Sequence, residues 1–259
     1  MVSTVRLLGN ERELLTGDRV YYVRADGSDS NSGLANTAGG AWLTLTYAWS
    51  FVASTLEQNG HKVTINVGTG TYDGLTATAK ATGEIWLVGN PTTPTNVIVR
   101  TNGVGGFIAF YYEAQPCYIY MDGFTVLFHA NNRGGVSMLG SYYVDVYDMV
   151  FDNSGSRTGC YALINQTGGG YMNYEGDCTF INGAGGNFTN AVIGEEFSKV
   201  EFVPDALTFT GAINFTNAYA FVGPYCQMYC YDYGRSGATP TGKRFILEGF
   251  SFLESYGQA

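Results

Sequence analysis

Four aspartates, Asp122, Asp148, Asp177 and Asp205, lie at or just before short apolar triplets that recur along the chain. Cleaving a glycosidic bond needs only two carboxyl groups, about 5 to 5.5 Å apart to retain the anomeric configuration or about 6.5 to 9.5 Å apart to invert it. If the triplets stack, equivalent aspartates approach one another in neighbouring repeats, and Asp148 and Asp177 become the candidate acid and base. The competing reading is that acidic residues at repeat corners solvate the turns, since a repeated position points to structure before catalysis. Aromatic side chains offer a second kind of site. The 20 tyrosines are too many for a core alone, and strand alternation in Tyr229-Cys-Tyr-Asp-Tyr233 sends Tyr229, Tyr231 and Tyr233 to one face. Such rings stack on sugars or bury against a neighbouring subunit, because tyrosine joins a large apolar body to a polar tip. The subunit interface is the preferred reading.

Other chemistries lack their residues. The loop Asp26-Gly-Ser-Asp-Ser-Asn-Ser-Gly33 gathers carboxylates, hydroxyls and glycines, yet an EF-hand counted from Asp26 would place Asn31 at the required glycine and Thr37 at the required glutamate. No Gly-Lys-Ser or Gly-Lys-Thr phosphate loop occurs, and Gly242-Lys-Arg lacks the hydroxyl. The loop is therefore expected to be structural, with Asp26, Asp29 and Asn31 bonded to nearby backbone and glycines supplying positive φ. The cysteines Cys117, Cys160, Cys178, Cys226 and Cys230 form no C-x-x-C pair and have only His61 and His129 as co-ligands, so neither a metal nor a cofactor is expected. They read as buried free thiols; exposed ones would link chains. The basic residues beyond position 100, Arg133, Arg157, Lys199, Arg235, Lys243 and Arg244, sit beside no evident acidic cluster, which argues against calcium-assisted lyase chemistry.

The elements that must position these groups are strands. With 36 Gly, 6 Pro, 20 Tyr and 16 Phe the composition is that of an all-β chain. The net charge of −9 and the lack of any Lys/Arg cluster exclude nucleic acid and anionic membrane as partners. No apolar run is long enough for a signal peptide or a membrane span, so a soluble protein is expected. Residues 1–19 read as an N-terminal arm or attachment segment, and residues 20–259 as one repeating domain. Val20-Tyr-Tyr-Val-Arg24 is its first strand. Leu43 to Leu56 places Leu43, Tyr47, Phe51 and Val52 at helical intervals, predicting a short amphipathic helix that Gly60 stops. The weak repeat comprises Gly123-Phe-Thr-Val126, Asp148-Met-Val-Phe151, Asp177-Cys-Thr-Phe180, Ala206-Leu-Thr-Phe209 and Gly249-Phe-Ser-Phe252, with a degenerate copy expected around Tyr229 to Tyr233. Its intervals of 25, 29 and 29 residues suit one turn of a parallel β-helix and are too short for a propeller blade. The helix then caps an open solenoid end that would otherwise expose unpaired edges.

Tyr21-Tyr-Val-Arg-Ala-Asp-Gly-Ser-Asp-Ser-Asn-Ser-Gly33, continuing through Trp42-Leu-Thr-Leu45, and then Val63-Thr-Ile-Asn-Val-Gly-Thr-Gly-Thr-Tyr72, resemble the opening of right-handed parallel β-helix proteins of the pectate-lyase-like superfamily. Bacteriophage tail fibre and tailspike proteins are the most similar of these. The resemblance implies a structural virion component, made in the bacterial host cytoplasm and carried in a tail fibre, spike or related appendage. Trimerisation, docking to other virion proteins through the arm, and contact with host surface polysaccharide follow from it as expectations. Two alternatives stay open: a tailspike depolymerase acting as a glycoside hydrolase, and an architectural collar or decoration protein cross-linked by disulfides.

Overall fold

The computed structural model describes residues 12–77, 83–101, 108–111, 117–139, 143–166, 170–232 and 235–257. Almost all of them are in strands, and every strand pairing is parallel. Parallel neighbours cannot be joined by a tight hairpin, so each coil must travel around a core before meeting its predecessor. Each coil lays a strand on a first face, one on a second and one on a third. The first face runs from Arg19–Val23 through Lys62–Val67, Gly83–Val88 and Cys117–Asp122 to Lys199–Phe202, Gln227–Asp232 and Phe252–Gly257. Between Cys117–Asp122 and Lys199–Phe202, the long strands Tyr143–Asn153 and Tyr171–Asn182 turn the corner and serve both the first and second faces. The third face stacks Leu75–Ala77, Ile108–Tyr111, Gly134–Leu139, Cys160–Gln166, Phe188–Gly194 and Asn214–Val222. The chain is a parallel β-solenoid, as its repeat predicts.

Alternation sorts side chains between the lumen and solvent. In Lys62–Val67, Val63, Ile65 and Val67 are buried while Lys62, Thr64 and Asn66 are half-buried on the outer surface. Register then stacks like on like. The second-face positions Val126, Phe151, Phe180 and Phe209 pair in succession, and the last three rings lie 5.3 and 5.6 Å apart. Four copies of the sequence repeat thus coincide in space. The other two do not: Phe252 pairs with Gln227 on the first face, and the second-face successor of Phe209 is Gly237. The two 29-residue intervals reflect coils of equal length, whereas the Gly-Phe-Ser-Phe likeness near the end belongs to a different phase of the coil.

The cap is the helix Leu45–Thr55, started by Thr44, whose hydroxyl accepts the Tyr47 N–H at 3.1 Å. Its buried side is Leu45, Ala48, Trp49, Val52 and Ala53. The predicted stripe is corrected here, because Leu43 and Tyr47 are exposed and Phe51 is only partly buried. Helical spacing alone left two apolar arcs, and Trp49 with its alanine neighbours packs closer to the lumen. The opening loop holds this cap in place. Asp29 accepts the Leu43 and Thr44 N–H groups, each at 2.9 Å, and the Thr44 hydroxyl at 2.8 Å. Asn31 donates to the Ala38 and Ala41 carbonyls, and Asp26 pairs with Arg24 at 2.8 Å. The loop is thus structural, although Asp26 serves a guanidinium and Asn31 acts as donor.

Most of the proposed arm, residues 1–11, lies outside the described residues. Of the remainder, Glu13–Leu14 pairs in parallel with Leu56–Glu57, Leu15 is fully buried, and Arg19 already pairs with Val63 in the solenoid.

Candidate functional site

The outer surface of the first face carries three columns of side chains in register. One runs Lys62, Glu84, Tyr118, Tyr143, Tyr171, Lys199; the next runs Thr64, Trp86, Tyr120, Asp145, Asn173, Glu201, Tyr229. A third places Asp122 beside Tyr147 and Tyr147 beside Glu175. Rungs about 4.8 Å apart bring planar side chains within stacking range. Trp86 stacks on Tyr120 at 4.3 Å between centroids, Tyr120 lies 4.9 Å from Tyr147, and Tyr143 lies 5.2 Å from Tyr118 and 4.5 Å from Tyr171. Cations close the ends of this platform, with Lys62 over Trp86 at 3.9 Å and Lys199 over Tyr171 at 4.8 Å.

Carboxylates thread between the rings. The Tyr118 hydroxyl donates to Asp145, Tyr120 donates to Asp122 at 2.9 Å, and Tyr147 donates to Glu175 at 3.0 Å. Burial pushes the Asp122 and Asp145 carboxyls above the usual carboxylate range, against the lowering effect of those tyrosine hydrogen bonds. Burial also raises the phenols of Tyr118, Tyr120, Tyr147 and Tyr171, aided by their acidic acceptors. Glu201 goes the other way. Burial opposes its ionisation, yet hydrogen bonds from Lys199 and Tyr171 and the lysine's charge hold it low. Asp122, Asp145 and Asn173 each retain one buried oxygen, Oδ1, with no hydrogen-bond partner. The face thus offers partly exposed aromatic rings, the exposed acceptor Glu175 and carboxyl groups of opposite acid–base character, Asp122 and Asp145 raised and Glu201 lowered. Stacking and hydroxyl recognition of a sugar need the first two, and general acid–base work needs the third.

The four aspartates of the sequence repeat divide between two places. Asp122 faces outward within this platform. Asp148 sits at the corner between the first and second faces with φ of +47°, and its Oδ1 accepts the Asp177 N–H at 2.8 Å. A Cβ on Gly176, itself at φ of +73°, would fall 2.6 Å from that same oxygen, so carboxylate and glycine fit together as a corner. Asp148 and Asp177 are therefore neighbours, with the carboxylate of the first committed to the backbone of the second. Asp177 and Asp205 are exposed. Tyr229 and Tyr231 lie on the first face, Tyr229 in the second column and 5.8 Å from Phe252, and Tyr231 donating to Glu254 at 3.4 Å; Tyr233 lies outside the described residues. All five cysteines are buried and unpaired. Among the described residues no three His, Cys, Asp or Glu side chains converge as a metal site would require, and no helix is long and apolar enough to cross a membrane.

Asp145, Glu175, Glu201 and Trp86 escaped the sequence reading. For Asp145 the signal lay in the alternation of Cys117-Tyr-Ile-Tyr-Met-Asp122 and Tyr143-Val-Asp-Val-Tyr147, whose outward positions are all aromatic or acidic. Only the register shows that these strands are adjacent. Compared with protein-family models, curated proteins and solved structures, the chain matches none.

Proposed function

We propose that this chain is a structural module of a bacteriophage tail fibre, spike or related appendage, and that its first face contacts host surface glycan. The observation that carries the reading is the ring-and-carboxylate platform from Trp86 to Tyr229, which lies along the solenoid as an extended polymer would. The exposed carboxylate of Glu175, beside Tyr147 on this face, suits a ligand rich in hydroxyl donors. The resemblance of residues 21–45 and 63–72 to tail fibre modules supports the virion setting, with the arm docking to neighbouring virion proteins and three copies assembling side by side. Incubation with the host's envelope polysaccharide, followed by surface-based binding and size exclusion, tests it. Saturable binding of full-length polymer, weakened ten-fold or more by Tyr143→Ala or Tyr171→Ala, is expected. No saturable binding refutes the glycan role.

A depolymerase is the second reading, favoured by one observation. Asp145 and Glu201 stand two rungs apart in one column, roughly 10 Å along the axis, and their environments push their proton affinities in opposite directions. Opposed proton affinities are the pattern of a general acid and its ionised partner, and a backbone spacing of this size suits the wider, inverting arrangement better than the retaining one. Polymer shortening that both Asp145→Asn and Glu201→Gln abolish would establish it; shortening that survives both would dismiss this pair.

A further inference from the structure

Three core columns change chemistry at the last coil. On the second face Met149, Cys178 and Leu207 stack in register, and the next position is Arg235. Beside them Phe151, Phe180 and Phe209 are followed by Gly237, which adds no side chain to the column. On the first face Val146, Tyr174, Phe202 and Cys230 are followed by Ser255. An apolar column thus ends in a cation, another in a missing side chain and a third in a hydroxyl.

The result is a cavity of about 450 Å³ at the end of the lumen opposite the capping helix. Phe209, Phe215, Tyr219 and Phe245 wall it, and Arg235, Lys243 and Arg244 are among its lining residues. Three of the chain's 13 cationic side chains thus surround one opening in a protein of net charge −9, and no acidic side chain lines it among the described residues. Its volume lies within the range of small-molecule sites, roughly 300–1,000 Å³. Apolar walls favour a hydrocarbon body, and the cations favour an anionic head held by charge-assisted hydrogen bonds.

We propose that this cavity is a binding site for a small amphiphilic anion of the alkyl carboxylate class. The site is separate from the glycan face and does not depend on that reading. Calorimetric titration of the full chain with decanoate, decanol and decylammonium, each below its aggregation concentration, tests the assignment. Decanoate should saturate at one per chain, with the other two at least ten-fold weaker. Arg235→Gln should weaken decanoate ten-fold or more while leaving decanol unchanged. Lys243→Gln, at an exposed position, provides the same comparison should the first variant fold poorly. Equal affinity for all three probes, affinity for decanoate indifferent to both substitutions, or no saturable decanoate binding would each overturn it.

Discussion

Replacing Asp148 separates a corner from a catalyst. Two features of this residue contribute to stability: its Oδ1 accepts the Asp177 N–H at 2.8 Å, and its backbone sits at φ of +47°. Losing the bond costs about 0.5–1.5 kcal/mol, toward the lower end because the Asp177 amide can turn to water. Placing alanine in the left-handed region costs about 1 kcal/mol more than an aspartate or asparagine, whose short polar side chains tolerate it. Asp148→Ala should therefore lose about 1.5 kcal/mol in urea unfolding. Asp148→Asn keeps both an acceptor and the tolerance and should lose under about 0.5 kcal/mol. Asp148→Gly recovers the backbone term alone and should fall between them. The same proteins are then tested on envelope polysaccharide by size exclusion. Equal destabilisation by Ala and Asn would refute the corner argument. An Asn variant of unchanged stability that lost a measured cleavage activity would refute it more directly, by making the carboxylate itself essential.

Three further outcomes are expected. The five thiols are at most 5 % exposed, and burial raises them, Cys117, Cys178 and Cys230 to about 12 and Cys160 and Cys226 to about 11; an aromatic disulfide reagent should titrate none in the native protein and all five after denaturation, and rapid native reaction would refute their burial. Asp29→Ala removes the acceptor of two N–H groups and a hydroxyl that anchor the cap, and should cost about 2 kcal/mol with loss of helical signal at the cap before the solenoid unfolds; a coincident transition of unchanged midpoint would dismiss that anchoring. Asp122 and Asp145 are raised in the folded state, so the native protein takes up protons before the unfolded chain does as pH falls from neutrality, and stability gains from them over that window. An Asp122→Asn/Asp145→Asn variant lacks this gain, so the parent's unfolding free energy should rise relative to the variant's between pH 7 and pH 4.5; a difference independent of pH would refute the assignment.

The sequence by itself determined the class of the fold. Glycine, tyrosine and phenylalanine with few prolines describe strands and turns, a 25- to 29-residue period is the length of one solenoid coil, and an apolar helical segment after Asp26 to Gly33 belongs at an open end. These are local and periodic properties, carried by composition and spacing. Register was not legible. Whether Asp145 neighbours Tyr120 or Phe252 continues the repeat depends on how many residues each corner consumes, and corners such as Asp148–Gly176 are settled by contacts between coils, some 28 residues apart in sequence. For the same reason the first-face platform, assembled from strands that each contribute only two or three outward side chains, and the end cavity, created where Leu207 gives way to Arg235 and Phe209 to Gly237, exist only once the coils are stacked.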